Sequence, residues 1–404
     1  MTKFEELIKE LCPNGVEYLA LGKITHLLRG KRLTKMQLLA DGKYPVYHGS
    51  LVPLGYYNES NREGDTVIVV NTGGIGGVGY CETPFWCSDG CFCIAKSCKL
   101  INKFLYYILV GYKDYLISRT RVGGVPTIDQ ETILSIQIPL PPLAVQREIV
   151  RILDKFTLLS QELVAELAAR RVQYEYYRDK LLAKKVHFQE MTILDMLSQP
   201  ITDGPHETPI LYDCGVPFIS AEAIYDTHID FSKKRGYISS EYNEQCNKKY
   251  KPQKGDVFLV KSGSTTGKVA MVTTDKIFNI WSPIAALRVN KNNSARFLYY
   301  ILQTDYVQQQ VKKYASNGSQ PNLSMRKLEQ FKVYVPPLDV QERIVKVLDN
   351  FDAICSDLGI GLPAEIEKRQ QQYEFYRDKL LTFDIESATI LTDRQTDRQT
   401  DRAD

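Results

Sequence analysis

With 404 residues, 44% of them apolar and 25% charged, the chain holds enough core-forming material for two or three domains. No apolar run approaches the ~20 residues of a bilayer span. Met1-Thr2-Lys3 leads into a charged amphipathic helix rather than a signal-peptide core. A net charge of +3 sets aside a histone-like basic protein, and nine cysteines, odd in number and without a secretory address, read as reduced thiols in a cytoplasm.

In chain order, the first basic cluster comes early: Arg29, Lys31, Arg32 and Lys35 surround a glycine in a loop after the first predicted strand. Thr66-Val67-Ile68-Val69-Val70, β-branched and preceded by Gly64-Asp65, predicts a strand. Gly74, Gly76 and Gly79 then satisfy a G-x-G-x-x-G spacing. The next residues, Tyr80-Cys81-Glu82-Thr83-Pro84, read as turn and strand, whereas a dinucleotide fingerprint needs a helix opening there. A glycine-rich hairpin loop is the expectation. Cys81, Cys87, Cys91, Cys93 and Cys98 lack the paired C-x₂-C spacing of structural zinc and are read as buried thiols. The five histidines, at 26, 48, 187, 206 and 228, show no metal spacing. Asn102 to Ser118 predicts a capped amphipathic helix with Asn102 as N-cap. Arg119 and Arg121 precede a Gly-Gly-Val-Pro loop, and a strand then ends at Pro141-Pro142.

From Leu143 to Lys185 the pattern changes. Ile149, Leu153, Phe156, Ser160, Leu163, Leu167, Arg170, Tyr174, Tyr177 and Leu181 step by four and three, a coiled-coil seam on one helix of ~60 Å. The prolines fit its first turn.

The chain then repeats itself. Pro141-Pro142-Leu143 through Leu153-Asp154-Lys155-Phe156 returns as Pro336-Pro337-Leu338 through Leu348-Asp349-Asn350-Phe351, offset by 195. Gln173-Tyr174-Glu175-Tyr176-Tyr177-Arg178-Asp179 returns at Gln372 to Asp378, offset by 199, and Phe104-Leu105-Tyr106-Tyr107-Ile108-Leu109 returns letter for letter at Phe297 to Leu302. In the second copy Asp256 to Val260 predicts a strand and Ser294 to Ala315 a helix capped by Ser294. Gly263-Ser264-Thr265-Thr266-Gly267-Lys268 imitates a P-loop but is one residue short, and ATP binding is rejected. The four extra residues fall in Leu358-Gly359-Ile360-Gly361-Leu362-Pro363, so the second long helix is expected to break there and restart at Pro363. The segments before each helix are α+β rather than doubly wound.

Charge is uneven. Residues 1–140 stand at +2 and residues 192–335 at +5, while residues 336–386 stand at −5. Local basic groups are Lys233, Lys234 and Arg235; Lys248 and Lys249; Lys261 and Lys268; and Lys312 and Lys313, with Gln320 beside Pro321. Such side chains neutralise phosphates, and Arg, Asn and Gln can read base edges in the major groove.

The paired prolines, the Gln, Ile-Val and Leu-Asp after them, and the terminal Tyr-x-Tyr/Phe-Tyr-Arg-Asp-Lys-Leu-Leu occur twice, separated by unlike segments. In this the chain resembles the specificity subunits of type I restriction–modification enzymes, as do Leu11-Cys12-Pro13-Asn14-Gly15-Val16-Glu17-Tyr18 and Gly361-Leu362-Pro363-Ala364-Glu365-Ile366. The likeness runs to about Phe383. It implies target-recognition domains at 1–140 and 192–335 and spacer helices at 141–191 and 336–386 packed antiparallel; beyond it, residues 387–404, polar and charge-alternating, are expected to form a disordered tail. It also implies a non-catalytic, cytoplasmic subunit, with two domains that each read one half of a split DNA target. Expected partners are double-stranded DNA, methyltransferase subunits and restriction subunits. No cofactor is expected in this chain; S-adenosylmethionine, ATP and Mg²⁺ would belong to the partners. Arg29, Lys31, Arg32, Lys35, Arg119, Arg121, Lys233, Lys234, Arg235, Lys248, Lys249, Lys261, Lys268, Lys312, Lys313 and Gln320 are the DNA-binding candidates. Gln146, Arg147, Gln341 and Glu342, taken as exposed near the repeat starts, are the docking candidates.

Two other readings stand beside this one. One is the same scaffold serving a stand-alone methyltransferase; the other is a coiled-coil adaptor whose paired domains bind peptides, for which DNA affinity would be absent or insensitive to salt. The tail Thr392-Asp393-Arg394-Gln395, repeated with period four, is what an ACAG tract spells when translated through, so a slippage-prone DNA repeat is expected at this end.

Overall fold

Thr66–Val70 is buried at all five positions and lies inside the first sheet, with neighbours on both sides. A strand that reads as an unbroken apolar run is one covered on both faces. Its counterpart, Val257–Val260, is buried at all four positions of the second sheet. The computed structural model describes residues 3–121, 126–225, 228–316, 320–356 and 359–383. They divide into two units, Met1–Val164 with the stretch from Ile366, and Ala165–Glu365. Each unit therefore takes residues from both copies of the repeat.

The strands of the first unit are β1 (Tyr18–Ala20), β2 (Leu27–Arg29), β3 (Tyr44–Tyr47), β4 (Gly55–Tyr57), β5 (Thr66–Val70), β6 (Val78–Cys81), β7 (Trp86–Cys87), β8 (Cys91–Ile94) and β9 (Gln137–Pro139). Those of the second are β10 (Gln189–Thr192), β11 (Thr202–Asp203), β12 (Val216–Ile219), β13 (Ile224–Tyr225), β14 (His228–Ile229), β15 (Gly236–Ile238), β16 (Val257–Val260), β17 (Val269–Met271), β18 (Asn279–Ile280), β19 (Ile284–Leu287) and β20 (Lys332–Val335). The sheets β2-β8-β5-β6, β4-β3-β7 and β1-β9 recur as β11-β19-β16-β17, β15-β12-β18 and β10-β20, with the small hairpin β13-β14 added in the second unit. Among the described residues each unit has one parallel pair, β3 with β7 and β12 with β18. The segments that look unlike in sequence thus carry one topology, because packing needs only apolar positions at the right period and not the same letters.

The helices correct the sequence expectations in detail. Asn102 does not cap its helix. It opens the helical residues Asn102–Gly111, with Ile101 at the N-cap, and its side-chain amide donates to Asp65 O at 2.6 Å. Ser294 does cap, accepting from Phe297 N. Both expected helices are two pieces, Asn102–Gly111 with Lys113–Ser118 and Ala295–Leu302 with Asp305–Tyr314. In the second, Thr304 caps the new piece by accepting from Val307 N.

The long helix spans Leu143–Leu182, 40 residues. Its second counterpart is broken, as Leu338–Ser356 and Leu362–Leu381; Leu358 and the tail at 387–404 lie outside the described residues. In the first unit Val145, Ile149, Leu153 and Leu380 share one core, and Phe383 N donates to Tyr18 Oη near the start of the long helix, so helix 362–381 runs against residues 143–164. In the second, Tyr174, Leu182, Ile344, Leu348 and Cys355 share another. The expected seam is tight at Ile149 and Leu153, both fully buried, and looser from Phe156 to Leu167, where positions are half-buried; Arg170 and Tyr177 are exposed. No helix among the described residues is long and apolar enough to cross a membrane.

The repeated glutamines also differ from expectation. Gln146 and Gln341 are 0% and 1% exposed, so neither faces a partner. Each amide is held mainly by backbone, with Asn293 Oδ1 a further acceptor for Gln341 Nε2. Gln146 Oε1 accepts from Ile101 N at 2.9 Å and its Nε2 donates to Pro141 O and Lys99 O. Gln341 Oε1 accepts from Ser294 N at 2.9 Å and its Nε2 donates to Pro336 O. They tie the start of each long helix to the loop before the domain helix, satisfying backbone groups that burial would otherwise leave unpaired. Arg147 and Glu342, one residue on, are exposed.

Candidate nucleic-acid interface

The parallel pair gives each domain one end where several loops meet. In the first unit β3 continues into His48 and Gly49, β7 into Ser88 to Gly90, and β5 into the glycine loop from Asn71 to Gly77. Ser88 N donates to Tyr47 O, Gly74 N to Gly49 O, and Asn71 N to Gly90 O. Positive φ at Gly49, Gly73 and Gly76 lets these turns approach so closely. The glycine spacing seen in sequence thus builds a hairpin loop between strands β5 and β6, as expected.

In the second unit β12 continues into Ser220, β18 into Trp281 to Pro283, and β16 into the loop from Lys261 to Lys268. Trp281 N donates to Ile219 O, Lys261 N to Pro283 O, and Leu323 N to Lys261 O. The last bond matches Ile128 N to Asn71 O in the first unit, and the bridge Ser262 to Asn322 matches Thr72 to Thr127. Three loops of each unit thus meet at the carboxyl ends of its parallel strands.

Equivalent positions at these two ends carry different chemistry. Where the first has Asn71, the second has Lys261; Ser88 is replaced by Trp281, and His48 by Ser220. Arg29 pairs with Phe92 in β8 as Asp203 pairs with Ala285 in β19. Each of the two is followed by a glycine pressed onto the end of the parallel strand of the other sheet, β7 or β18, for a Cβ on Gly30 would lie 1.9 Å from Ser88 O and one on Gly204 1.9 Å from Ile280 O. The same frame therefore presents an exposed cation on one side and a buried anion on the other.

In the first unit His48 Nδ1 lies 3.2 Å from Ser88 Oγ and 3.2 Å from Asp89 Oδ1. Arg29 ends its strand rather than lying in a loop; it is exposed, like Lys31, Arg32 and Lys35. Lys31 stays beside the strand end through its N–H to Cys87 O. Arg121 borders the glycine loop through Thr127 but is ion-paired with Asp129 at 2.5 Å, and Arg119 rests over Tyr115.

In the second unit Asp203, 1% exposed, gathers Lys249 at 2.5 Å, Lys261 at 3.3 Å and His206 at 3.2 Å. Lys233 Nζ sits 3.6 Å from the Tyr225 ring centroid and Lys268 5.8 Å from the same ring. Lys234 lies over Tyr237, and Arg235 over Trp281 at 3.9 Å. Lys248 is exposed on helix Ser240–Lys249, Lys312 and Lys313 are exposed at the end of helix Asp305–Tyr314, and Gln320 is exposed beside the glycine loop. Of the basic candidates of this domain, Lys249 and Lys261 thus gather on Asp203 and Lys233 and Lys268 on Tyr225, while the others lie apart, so they do not form one undivided patch.

The thiols stand apart from this chemistry. Cys87, Cys91 and Cys93 are fully buried in strands β7 and β8, whereas Cys81 is half-buried and Cys98 exposed, so the expectation of five buried thiols holds for three of them, only partly for Cys81, and fails for Cys98. Burial pushes the Cys81 thiol up to about 12 and Cys91 up to about 11, which keeps both protonated and unreactive near neutrality. Sequence reasoning missed His48, Ser88, Asp89, Asp203, Tyr225 and Trp281. None lies in a repeated or charged run; they share only the strand ends that the fold brings together.

Residues 13–169 and 208–368 match the family model of the type I restriction modification DNA specificity domain. The EcoR124I/EcoR124II specificity subunit of Escherichia coli is 31% identical over 409 residues, covering 95% of this chain and 98% of the relative. S.HindORF215P of Haemophilus influenzae, named for the same role, is 29% identical over 93% of this chain and 98% of its own length. The crystal structure of a type I system S subunit from M. genitalium shares the fold, with a TM-score of 0.55 at 18% identity over 92% of this chain and 98% of that one. The chain belongs to the specificity subunits of type I restriction–modification systems, the DNA-recognising components of those enzymes.

Proposed function

We infer that each unit reads one half of a bipartite, asymmetric DNA target through the loops at the carboxyl ends of its parallel strands. The observation that carries this reading is one topology built twice with unlike side chains at matching positions, Arg29 against Asp203, Ser88 against Trp281 and Asn71 against Lys261. A common frame positions both readers, and the substituted groups change which base edges each can recognise. As a specificity subunit the chain is not the catalytic component. Its partners are double-stranded DNA, methyltransferase subunits and restriction subunits, in a cytoplasmic complex. S-adenosylmethionine, ATP and Mg²⁺ belong to the partners. Helices 143–182, 338–356 and 362–381 set the spacing of the half-sites and dock the methyltransferase, with exposed Arg147 and Glu342 on the docking face.

Methylome sequencing of cells with and without the gene tests this directly. The expected outcome is loss of one split motif with two different halves. Exchange of residues 192–335 for those of a relative should change one half only, and a change in both halves, or in neither, would refute the reading. Affinity for duplex should also fall steeply with salt, as phosphate neutralisation requires; salt-insensitive binding would favour a peptide-binding adaptor.

A further inference from the structure

In the second domain's loop cluster, Arg235 carries a planar guanidinium that an aromatic ring, and not an acid, holds. Lys249 and Lys261 are committed to Asp203, and Lys233 to Asp230 at 3.8 Å. Arg288 is committed to Asp256. Arg235 is exposed and makes no side-chain hydrogen bond or ion pair among the described residues, yet it is not a loose surface group. Its guanidinium carbon lies 3.9 Å from the Trp281 ring centroid. Both partners are fixed in turn. Arg235 N donates to Phe218 O on β12, and Trp281 N donates to Ile219 O on the same strand. The indole N–H donates to Glu207 O at 3.2 Å.

Stacking occupies the flat face of a guanidinium and leaves its five in-plane donors available for another group. Such an arginine has lost rotamer freedom before any ligand arrives, so less entropy is lost per bond on binding. A fork of donors without a protein acceptor, held rigid at the end of the parallel strands, matches one ligand edge in DNA, the paired O6 and N7 acceptors of guanine in the major groove. We propose that Arg235, shelved on Trp281, is a specificity-determining residue that reads a guanine in the half-site of the second domain. The equivalent position to Trp281 in the first domain is Ser88, which offers no ring, so this reader belongs to one half of the target only. The inference rests on the reading that the second domain recognises a half-site.

The test uses the full chain assembled with its methyltransferase partner and a pool of DNA duplexes randomised across the target. Bound duplexes are sequenced for the wild type, R235K, R235A and W281A, and for the chimera exchanged over 192–335. The wild type should require guanine at one position of one half. R235K keeps the charge but not the planar fork. It should lose preference at that position by about ten- to a hundredfold, the discrimination carried by one bidentate contact, and leave the other positions intact. R235A should do the same, and W281A should relax the same position less. Thermal unfolding of each variant reports folding; Arg235 is exposed, so its variants should melt with the wild type. An unchanged preference in R235A would overturn the proposal. So would a uniform loss of affinity across all sequences in R235A that R235K restores, the behaviour of a phosphate clamp. If the chimera changes one half of the motif while R235A changes nothing, only this inference falls. If the chimera changes neither half, the parent reading falls with it.

Discussion

The ring of Phe156 stacks on that of Tyr376, with centroids 5.3 Å apart and planes 24° from parallel, although 220 positions separate them in the chain. The other unit repeats the contact with the partners exchanged. Phe351, the counterpart of Phe156, stacks on Tyr177, the counterpart of Tyr376, at 5.7 Å and 23°. Around the pair the exchange continues. Tyr107 donates to Asp154 and faces Tyr373, while Tyr300 donates to Asp349 and faces Tyr174. Each domain helix therefore packs on the long helix of its own copy and on the terminal motif of the other. The first unit should depend on helix 362–381. Truncation before Leu362 should raise hydrogen exchange at Ile149 and Leu153, and Y376A should destabilise the first unit by about 1 kcal/mol, typical of a partly buried aromatic pair. Equal protection of residues 143–156 with and without that helix would contradict this.

Much of that arrangement was legible in the sequence, and the reason is physical. Repeated letters such as Leu153-Asp154 and Leu348-Asp349 are held in place by repeated contacts, Asp154 accepting from Tyr107 and Asp349 from Tyr300. The long helix announced itself by its period and its starting prolines. What could not be read was the shared topology of the unlike segments, because β5 (Thr66–Val70) and β16 (Val257–Val260) need only to be apolar to occupy the same place. The reading site was hidden for the same reason. His48 and Ser88 are 40 residues apart and meet through a parallel strand pair that no local pattern records. Gln146 misled because a polar residue at a helix start usually faces water; here backbone donors and acceptors enclose it.

Gln146→Ala and Gln341→Ala should each leave buried backbone groups of Ile101 and Pro141, or of Ser294 and Pro336, without partners. An unmade buried hydrogen bond costs roughly 1–3 kcal/mol, so each variant should lose about that much stability. R147A and E342A, at exposed positions, should stay within about 0.5 kcal/mol of the parent and instead weaken capture of the methyltransferase subunit. Denaturant titration and a pull-down separate the two effects. Unaltered stability in Q146A would show that the loop reorganises around the gap.

Alkaline pH should unfold the protein earlier than an ordinary surface composition predicts. Burial, with help from neighbouring carboxylates, raises the phenols of Tyr107, Tyr174, Tyr250 and Tyr300, and burial pushes Tyr373 up to about 12. In the unfolded chain each ionises near ~10. Above that pH the unfolded state holds fewer protons than the folded one, so stability falls as pH rises, and below it the contribution is fully present. A spectroscopic phenol titration should show a fraction of the tyrosines ionising only as the fold is lost, in step with the unfolding signal. Smooth ionisation of every tyrosine near ~10 in a still-folded protein would exclude this account.

Loss of the Asp203 charge should be felt sharply in the second unit. Its carboxylate, 1% exposed, faces Lys261, whose side chain is only 11% exposed, while Lys249 is half-exposed and His206 largely in solvent. Asp203→Asn keeps the shape and removes the charge, and Lys249 and His206 can turn to water, but Lys261 cannot do so easily. Breaking a buried pair from one side costs about 3–5 kcal/mol because the remaining charge is uncompensated, and that should appear as a lowered denaturant midpoint for the second unit. Lys261→Met on the Asp203→Asn background removes the stranded charge and should recover most of the loss, though not the recognition of the second half-site. The first half-site should be read as before in both variants. If Asp203→Asn alone unfolds within about 1 kcal/mol of the parent, Lys261 already reaches solvent and the cluster is an ordinary surface one. If the double variant is no more stable than the single, the anion supports the domain through something other than Lys261.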